Sequence, residues 1–314
     1  MVLCIANQIL MKVINLFLGI LLCFLNFSTH GQSSFDVLEK ELAFHADVMV
    51  NAAEADHRIL GMDRFNALFR DVLAQDGSYT YSFDKLRWIS KKAPEDQSFR
   101  IFTWECNVGE GDVKNFGIIQ KKDGTIYELK DGFDTAENIS EEEFGHENWL
   151  GAIYYQIMEG KTQNNEKYYL LFGMKKWSKF ENVKLLDVLF FSKEGRPYFG
   201  MPIFKDETNK NSEPKLFHRL AFKYAADAQM TVNYNPGMEM IMVDNLIRRM
   251  SRMPGHGETL VPDGSYVGYQ YKNGYWNKID KIATEVMDSA PRPKPILDER
   301  KGKNLNGSQI KKSK

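Results

Sequence analysis

The chain has 314 residues, 41 basic against 42 acidic, 43% of them hydrophobic and 13% aromatic. That length and apolar content suffice for a core held by packing alone, and the acidic balance of the body argues against a nucleic-acid binder, which would show a basic face. The charge is unevenly placed: residues 290–314 hold eight Lys or Arg against Asp298 and Glu299, which leaves the body from 32 to 289 at −8.

Residues 1–31 read as a secretory signal peptide. Lys12 is the only charge before Asp36, an apolar run follows from Val13 to Phe27, and the small-residue stretch Thr29-His30-Gly31 precedes Gln32. The apolar run is shorter than the roughly 20 residues a membrane-spanning helix needs. Met11-Lys12 is the more natural start, because the ten residues before Met11 carry no charge. Cys23 follows Ile20-Leu21-Leu22 and Cys4 follows Val2-Leu3, without the small residue that lipid modification requires. The expected product is therefore exported, periplasmic or extracellular, with no lipid anchor and no integral membrane span after cleavage. It retains Cys106 alone, hence no internal disulfide. Cys106 lies in the apolar-polar segment Phe99–Val108, where a buried strand thiol is expected.

Residues 32–78 carry helical periodicity. Phe35, Leu38 and Leu42 recur at steps of three and four after Ser33-Ser34, Ala43, Val48 and Met49 continue the apolar pattern, and a second helix is predicted over Met62–Ala74, stopped by Asp76-Gly77-Ser78. From 79 to 288 the texture is that of strands. They are predicted at Leu86–Ser90, Ser98–Val108, Lys114–Lys121, Thr125–Leu129, Trp149–Met158, Lys167–Gly173, Val183–Ser192, Leu216–Tyr224, Met230–Tyr234, Met238–Val243, Tyr266–Lys272 and Tyr275–Ile279. Asp123-Gly124 and Asn273-Gly274 suit tight hairpins. Asp76-Gly77-Ser78-Tyr79 recurs as Asp263-Gly264-Ser265-Tyr266, and both copies read as turns. The fold class is thus α+β: mainly β, an antiparallel sandwich or curved sheet behind an amino-terminal helical segment. The tail, 289–314, reads as a disordered basic end, either solubilising or in weak contact with an anionic surface.

Standard catalytic and cofactor signatures are missing: no G-x-x-x-x-G-K-[ST], G-x-G-x-x-G, H-E-x-x-H or G-x-S-x-G. Ser82-Phe83-Asp84-Lys85 matches S-x-x-K only formally, without its companion motifs. His45, His57, His146, His218 and His256 are scattered and read as solvated or loop histidines. The acidic stretch Asp131–Glu147 offers hard oxygens for calcium, but its spacing fails the EF-hand pattern, since position three is Phe133 and position six Ala136. No metal site and no cofactor are expected. Adjacent aromatics (Tyr154-Tyr155, Tyr168-Tyr169, Phe190-Phe191, Tyr198-Phe199, Tyr275-Trp276) place one ring on each face of a strand. Either both faces are buried, or outward rings form a stacking platform for a sugar or peptide. The candidates for such a platform are Tyr155, Tyr169, Trp177, Tyr198 and Trp276.

The order Trp149-Leu150-Gly151-Ala152-Ile153-Tyr154-Tyr155, Tyr169-Leu170-Leu171-Phe172-Gly173, Asp187-Val188-Leu189-Phe190-Phe191 and Gly200-Met201-Pro202-Ile203-Phe204, continued by Arg219–Tyr224, Ala228–Tyr234, Val243–Leu246 and Tyr269–Trp276, resembles a family of exported bacterial proteins with no assigned activity. The likeness spans roughly residues 145–280 and implies an exported, β-rich protein without transferable site residues. The expected function is a non-enzymatic binding or assembly module of the cell envelope, with an envelope protein or polysaccharide as partner and no nucleic acid. The alternative is a hydrolase of an envelope glycan or peptide, using Glu147 and His146 in a cleft. A structural module working only as an oligomer is a third possibility.

Overall fold

The computed structural model describes residues 34–132, 138–207, 213–280 and 282. The predicted signal peptide, the basic tail and part of the acidic stretch lie outside them. The chain divides into two compact units, Met1–Asp280 and Lys281–Lys314, and the described residues belong, save Ile282, to the first.

Helix α1 covers residues 34–51 and α2 Ala55–Leu73. The second helix starts seven residues ahead of the predicted Met62. Asp56-His57-Arg58 lack apolar periodicity, and the turn is held by Arg58, whose Nη1 donates to Ala52 O (2.8 Å) and Ala53 O (2.7 Å) at the end of α1. Nε of Arg58 reaches Asn107 O at 2.7 Å, tying the helices to the sheet beneath. The helices cross closely at Gly61, where a Cβ would stand 2.8 Å from Met49 N.

Three sheets follow. The first is an antiparallel meander of β1 (Ser90–Lys92), β2 (Phe99–Gly109), β3 (Asp112–Lys121) and β4 (Ile126–Lys130). The second takes the order β5 (Phe144–Gly145), β9 (Pro197–Phe199), β8 (Glu181–Phe191), β7 (Lys167–Lys176), β6 (Ile153–Lys161), with β12 (Leu220–Ala225) also on β8. The third runs β11 (Lys215–Phe217), β10 (Phe204–Asp206), β16 (Tyr275–Ile279), β15 (Glu258–Lys272), β14 (Met240–Met250), β13 (Val232–Asn235). Every pairing within them is antiparallel except β10 with β16.

Side-chain alternation along the strands assigns the layers. On β2, Phe102, Trp104 and Cys106 pack against Phe65 and Phe69 of α2, while Phe99 and Ile101 face the second sheet. On β7, Tyr169 and Leu171 face the first sheet, and Tyr168, Leu170 and Phe172 meet Ile241, Val243, Tyr269 and Trp276 of the third. The order is helices, first sheet, middle sheet, third sheet. The fold class is therefore α+β and β-rich, a sandwich with an additional sheet. Burial of both faces explains the adjacent aromatics: Tyr168 and Tyr169 lie in different cores, 1% and 4% exposed.

Other expectations shift. The first short strand is Ser90–Lys92 rather than Leu86–Ser90. The predicted strand Leu216–Tyr224 breaks at His218-Arg219 into β11 and β12, which belong to different sheets. β14 and β15 extend well beyond Met238–Val243 and Tyr266–Lys272, since their outer halves carry Arg, Pro and Gly instead of alternating apolar residues. Asp263-Gly264-Ser265-Tyr266 is a bulge inside β15, not a chain reversal: Asp244 pairs with Tyr266 and Leu246 with Pro262. Gly264 takes φ 88° there, and Asp263 Oδ1 accepts from Ser265 N–H at 2.9 Å. Cys106 is a free, buried strand thiol, and the described residues contain no disulfide.

Candidate functional site

The two helices do not cover the whole first sheet. α2 lies over β2 through ring contacts of Phe65 and Phe69 with Trp104 and Phe102, at centroid distances of 5.0–5.8 Å. β4 is a five-residue edge strand that α2 reaches through the Arg70–Glu128 ion pair. Between them a cleft of about 520 Å³ opens, within the size range of small-ligand sites.

Its floor is aromatic. Phe116 is half-buried and lies nearly parallel to Trp104, centroids 6.0 Å apart and planes 15° apart. Trp104 is held from behind, its Nε1 donating to Asn66 Oδ1 of α2 at 3.0 Å. The register places Phe116 opposite Lys130 and Ile118 opposite Glu128, so all four side chains leave the same face. Arg70 Nε reaches Glu128 Oε1 at 3.2 Å across the mouth. Lys130 pairs with Glu147, whose carboxyl the Lys130 ammonium holds below its ordinary range. Lys114 is exposed at the same rim. The cleft thus combines a flat apolar floor with amide, guanidinium, ammonium and carboxylate groups around its edge, which suits recognition of a ring carrying hydroxyls. Sequence reasoning missed it, because its signal was only the short strand after Asp123-Gly124, too narrow for the helices above it.

The five predicted aromatic candidates do not converge on one surface. Tyr155 is half-buried between the middle and third sheets, its hydroxyl donating to Val232 O at 2.7 Å and Lys184 Nζ 4.4 Å from its ring centroid. Tyr169 is buried on the opposite face, its hydroxyl 3.0 Å from Ser98 Oγ and donating to Asp96 Oδ2 at 3.2 Å. Trp177 lies between β7 and β8, 37% exposed, with Lys223 Nζ 3.9 Å above its ring. Tyr198 stacks on Phe190 at 5.8 Å along β9. Trp276 is buried in the third sheet, with Nε1 donating to the Tyr168 hydroxyl at 3.1 Å.

The hydrolase candidates are adjacent but not enclosed. His146 Nδ1 lies 3.5 Å from Glu147 Oε1 and 3.2 Å from Glu128 O, while the Glu147 side chain is 62% exposed. Lys85 turns from Ser82 toward Asp36 and Glu39, and Ser82 donates to Asp84 at 2.7 Å. In the described part of the acidic stretch the carboxylates are engaged singly: Asp131 accepts from Asn115 Nδ2 (3.0 Å) and Lys175 Nζ (2.7 Å), and Glu141 pairs with Lys215. Among the described residues no group of three or more His, Cys, Asp or Glu is placed to hold a metal ion, and no helix is long and apolar enough to cross a membrane. Burial pushes the Cys106 thiol and the His218 imidazole away from their charged forms, the thiol up and the imidazole down. No family model, curated protein or solved structure matches the chain.

Proposed function

We propose that the protein is an exported, non-enzymatic binding module of the cell envelope that holds a polysaccharide segment in the cleft between α2 and β4. The observation carrying this reading is the half-exposed Phe116 ring, backed by the buried Trp104 and ringed by Asn66, Arg70, Glu128 and Lys130. An aromatic face offers apolar contact to the C–H side of a sugar ring, and charged groups at its edge bond to hydroxyls without reacting with them. Export rests on the pattern of residues 1–31 alone.

Isothermal titration with oligosaccharides released from envelope polysaccharide tests the reading, with reducing ends followed in the same samples. Saturable binding that Phe116→Ala abolishes, with no new reducing ends, is expected. Release of reducing ends that His146→Ala or Glu147→Gln stops would replace it with the hydrolase.

A further inference from the structure

A second cleft, of about 330 Å³, opens between the outer end of the β14–β15 hairpin and the loop 226–229 that follows β12. Gln229, Arg249, Ser251, Arg252 and Thr259 line it, and Asp227 is the one carboxylate among its lining residues. Arg249 and Thr259 stand directly opposite each other in the β14–β15 register, so their side chains leave the same face. Ser251 N–H donates to Gly257 O at 2.8 Å and closes the hairpin end, which fixes the backbone carrying these groups.

Two features are left without a structural account. Arg248 has Glu258 at 3.9 Å, whereas Arg249 and Arg252 have no carboxylate partner among the described residues. Thr259 is 5% exposed, yet its Oγ1 has no hydrogen-bond partner. A buried hydroxyl left unpaired is costly, and its retention beside two unpaired guanidinium groups calls for an acceptor from outside the chain. Ser251 adds a donor: its Oγ accepts from Met253 N–H at 3.0 Å, which leaves the hydroxyl proton to give away.

We propose that this cleft binds a phosphate monoester by its tetrahedral oxyanion. Donors arrive from two strands, the hairpin end and a loop. That spread suits three terminal oxygens pointing apart better than the two coplanar oxygens of a carboxylate, and guanidinium forks match phosphate geometry. Asp227 is left to accept from a hydroxyl of the alcohol portion. The site is separate from the α2–β4 cleft and does not depend on what that cleft binds.

The test is isothermal titration of the full chain at low ionic strength with glucose 6-phosphate, inorganic phosphate and succinate. Glucose 6-phosphate is expected to bind saturably and more tightly than either of the others. Arg249→Gln and Arg252→Gln, at exposed positions where the fold is not at risk, each weaken it roughly tenfold or more. Thr259→Val keeps the shape, removes the orphan hydroxyl, and weakens binding without lowering the melting temperature. Lys272→Gln, elsewhere on the hairpin, leaves binding unchanged. The proposal is overturned by any of four results: no saturable binding, wild-type affinity in both arginine variants, succinate or inorganic phosphate binding as tightly as the ester, or an equal loss in Lys272→Gln.

Discussion

Arg219 and Asp187 are both wholly enclosed, with Arg219 Nε 2.9 Å from Asp187 Oδ1. The guanidinium also donates to Glu142 O at 2.7 Å, Phe199 O at 2.8 Å and Ile139 O, and lies 4.7 Å over the Phe144 ring. One side chain thereby ties β12, β8 and β9 to the segment around residues 139–142. Removing one member leaves a buried, uncompensated charge, so Arg219→Met is expected to cost about 3–5 kcal/mol in urea unfolding. The double variant Arg219→Met, Asp187→Leu is expected to be more stable than either single variant, because an apolar pair carries no desolvation cost. Cys106 makes the opposite case: a buried thiol whose proton burial retains. A thiol-specific aromatic disulfide reagent should leave Cys106 unlabelled in the native protein and react with it in denaturant.

At the level of elements, the loop between β1 and β2 shows how neighbouring sheets are joined. Asp96 accepts from Lys167 Nζ of β7, from Ser98 N–H (3.0 Å) and from the Ser98 hydroxyl (2.8 Å). Partial burial works to raise its pKa, but these donors overcome it and hold the carboxyl at about 2, against an ordinary 3.8. A depressed carboxyl stabilises the fold fully above its unfolded pKa and loses that contribution as pH falls through the folded one. Thermal melts should therefore show Asp96→Asn below wild type at neutral pH, the two converging as pH falls from 3.8 to about 2. The elements themselves were unevenly legible. β2, β3 and β7 were readable because each carries a short, mostly apolar run, Phe99–Trp104, Phe116–Ile119 and Tyr168–Phe172. The split between β11 and β12 was not, since Arg219 reads as a surface residue until its buried partner is seen. The outer halves of β14 and β15 were hidden because Arg248, Arg249, Pro262 and Gly264 interrupt any apolar alternation there. The α2–β4 cleft arises from a mismatch in width between two layers, and no local pattern records that.

The whole unit depends on its middle sheet, which contributes to two cores at once. Leu171 is fully buried between the first and middle sheets, among Ile101, Ile119 and Leu185. Leu171→Ala is expected to cost about 2–5 kcal/mol. Because the other face of β7 anchors the third sheet, fluorescence and far-ultraviolet dichroism should report the same single unfolding midpoint in wild type and variant. Separate midpoints would mean that the third sheet unfolds alone.

The layers are stacked in nearly the order in which they occur along the chain. A polypeptide made from its amino end finishes the helices and the first sheet before β7 and β8 exist. When that hairpin emerges, one of its greasy sides already has a surface to land on. The other, carrying Tyr168, Leu170, Phe172, Leu186 and Val188, has to wait for the strands from Phe204 onward. Chains truncated near Gly200 would therefore be the adhesive ones, and aggregation on refolding should decline once the chain includes Trp276.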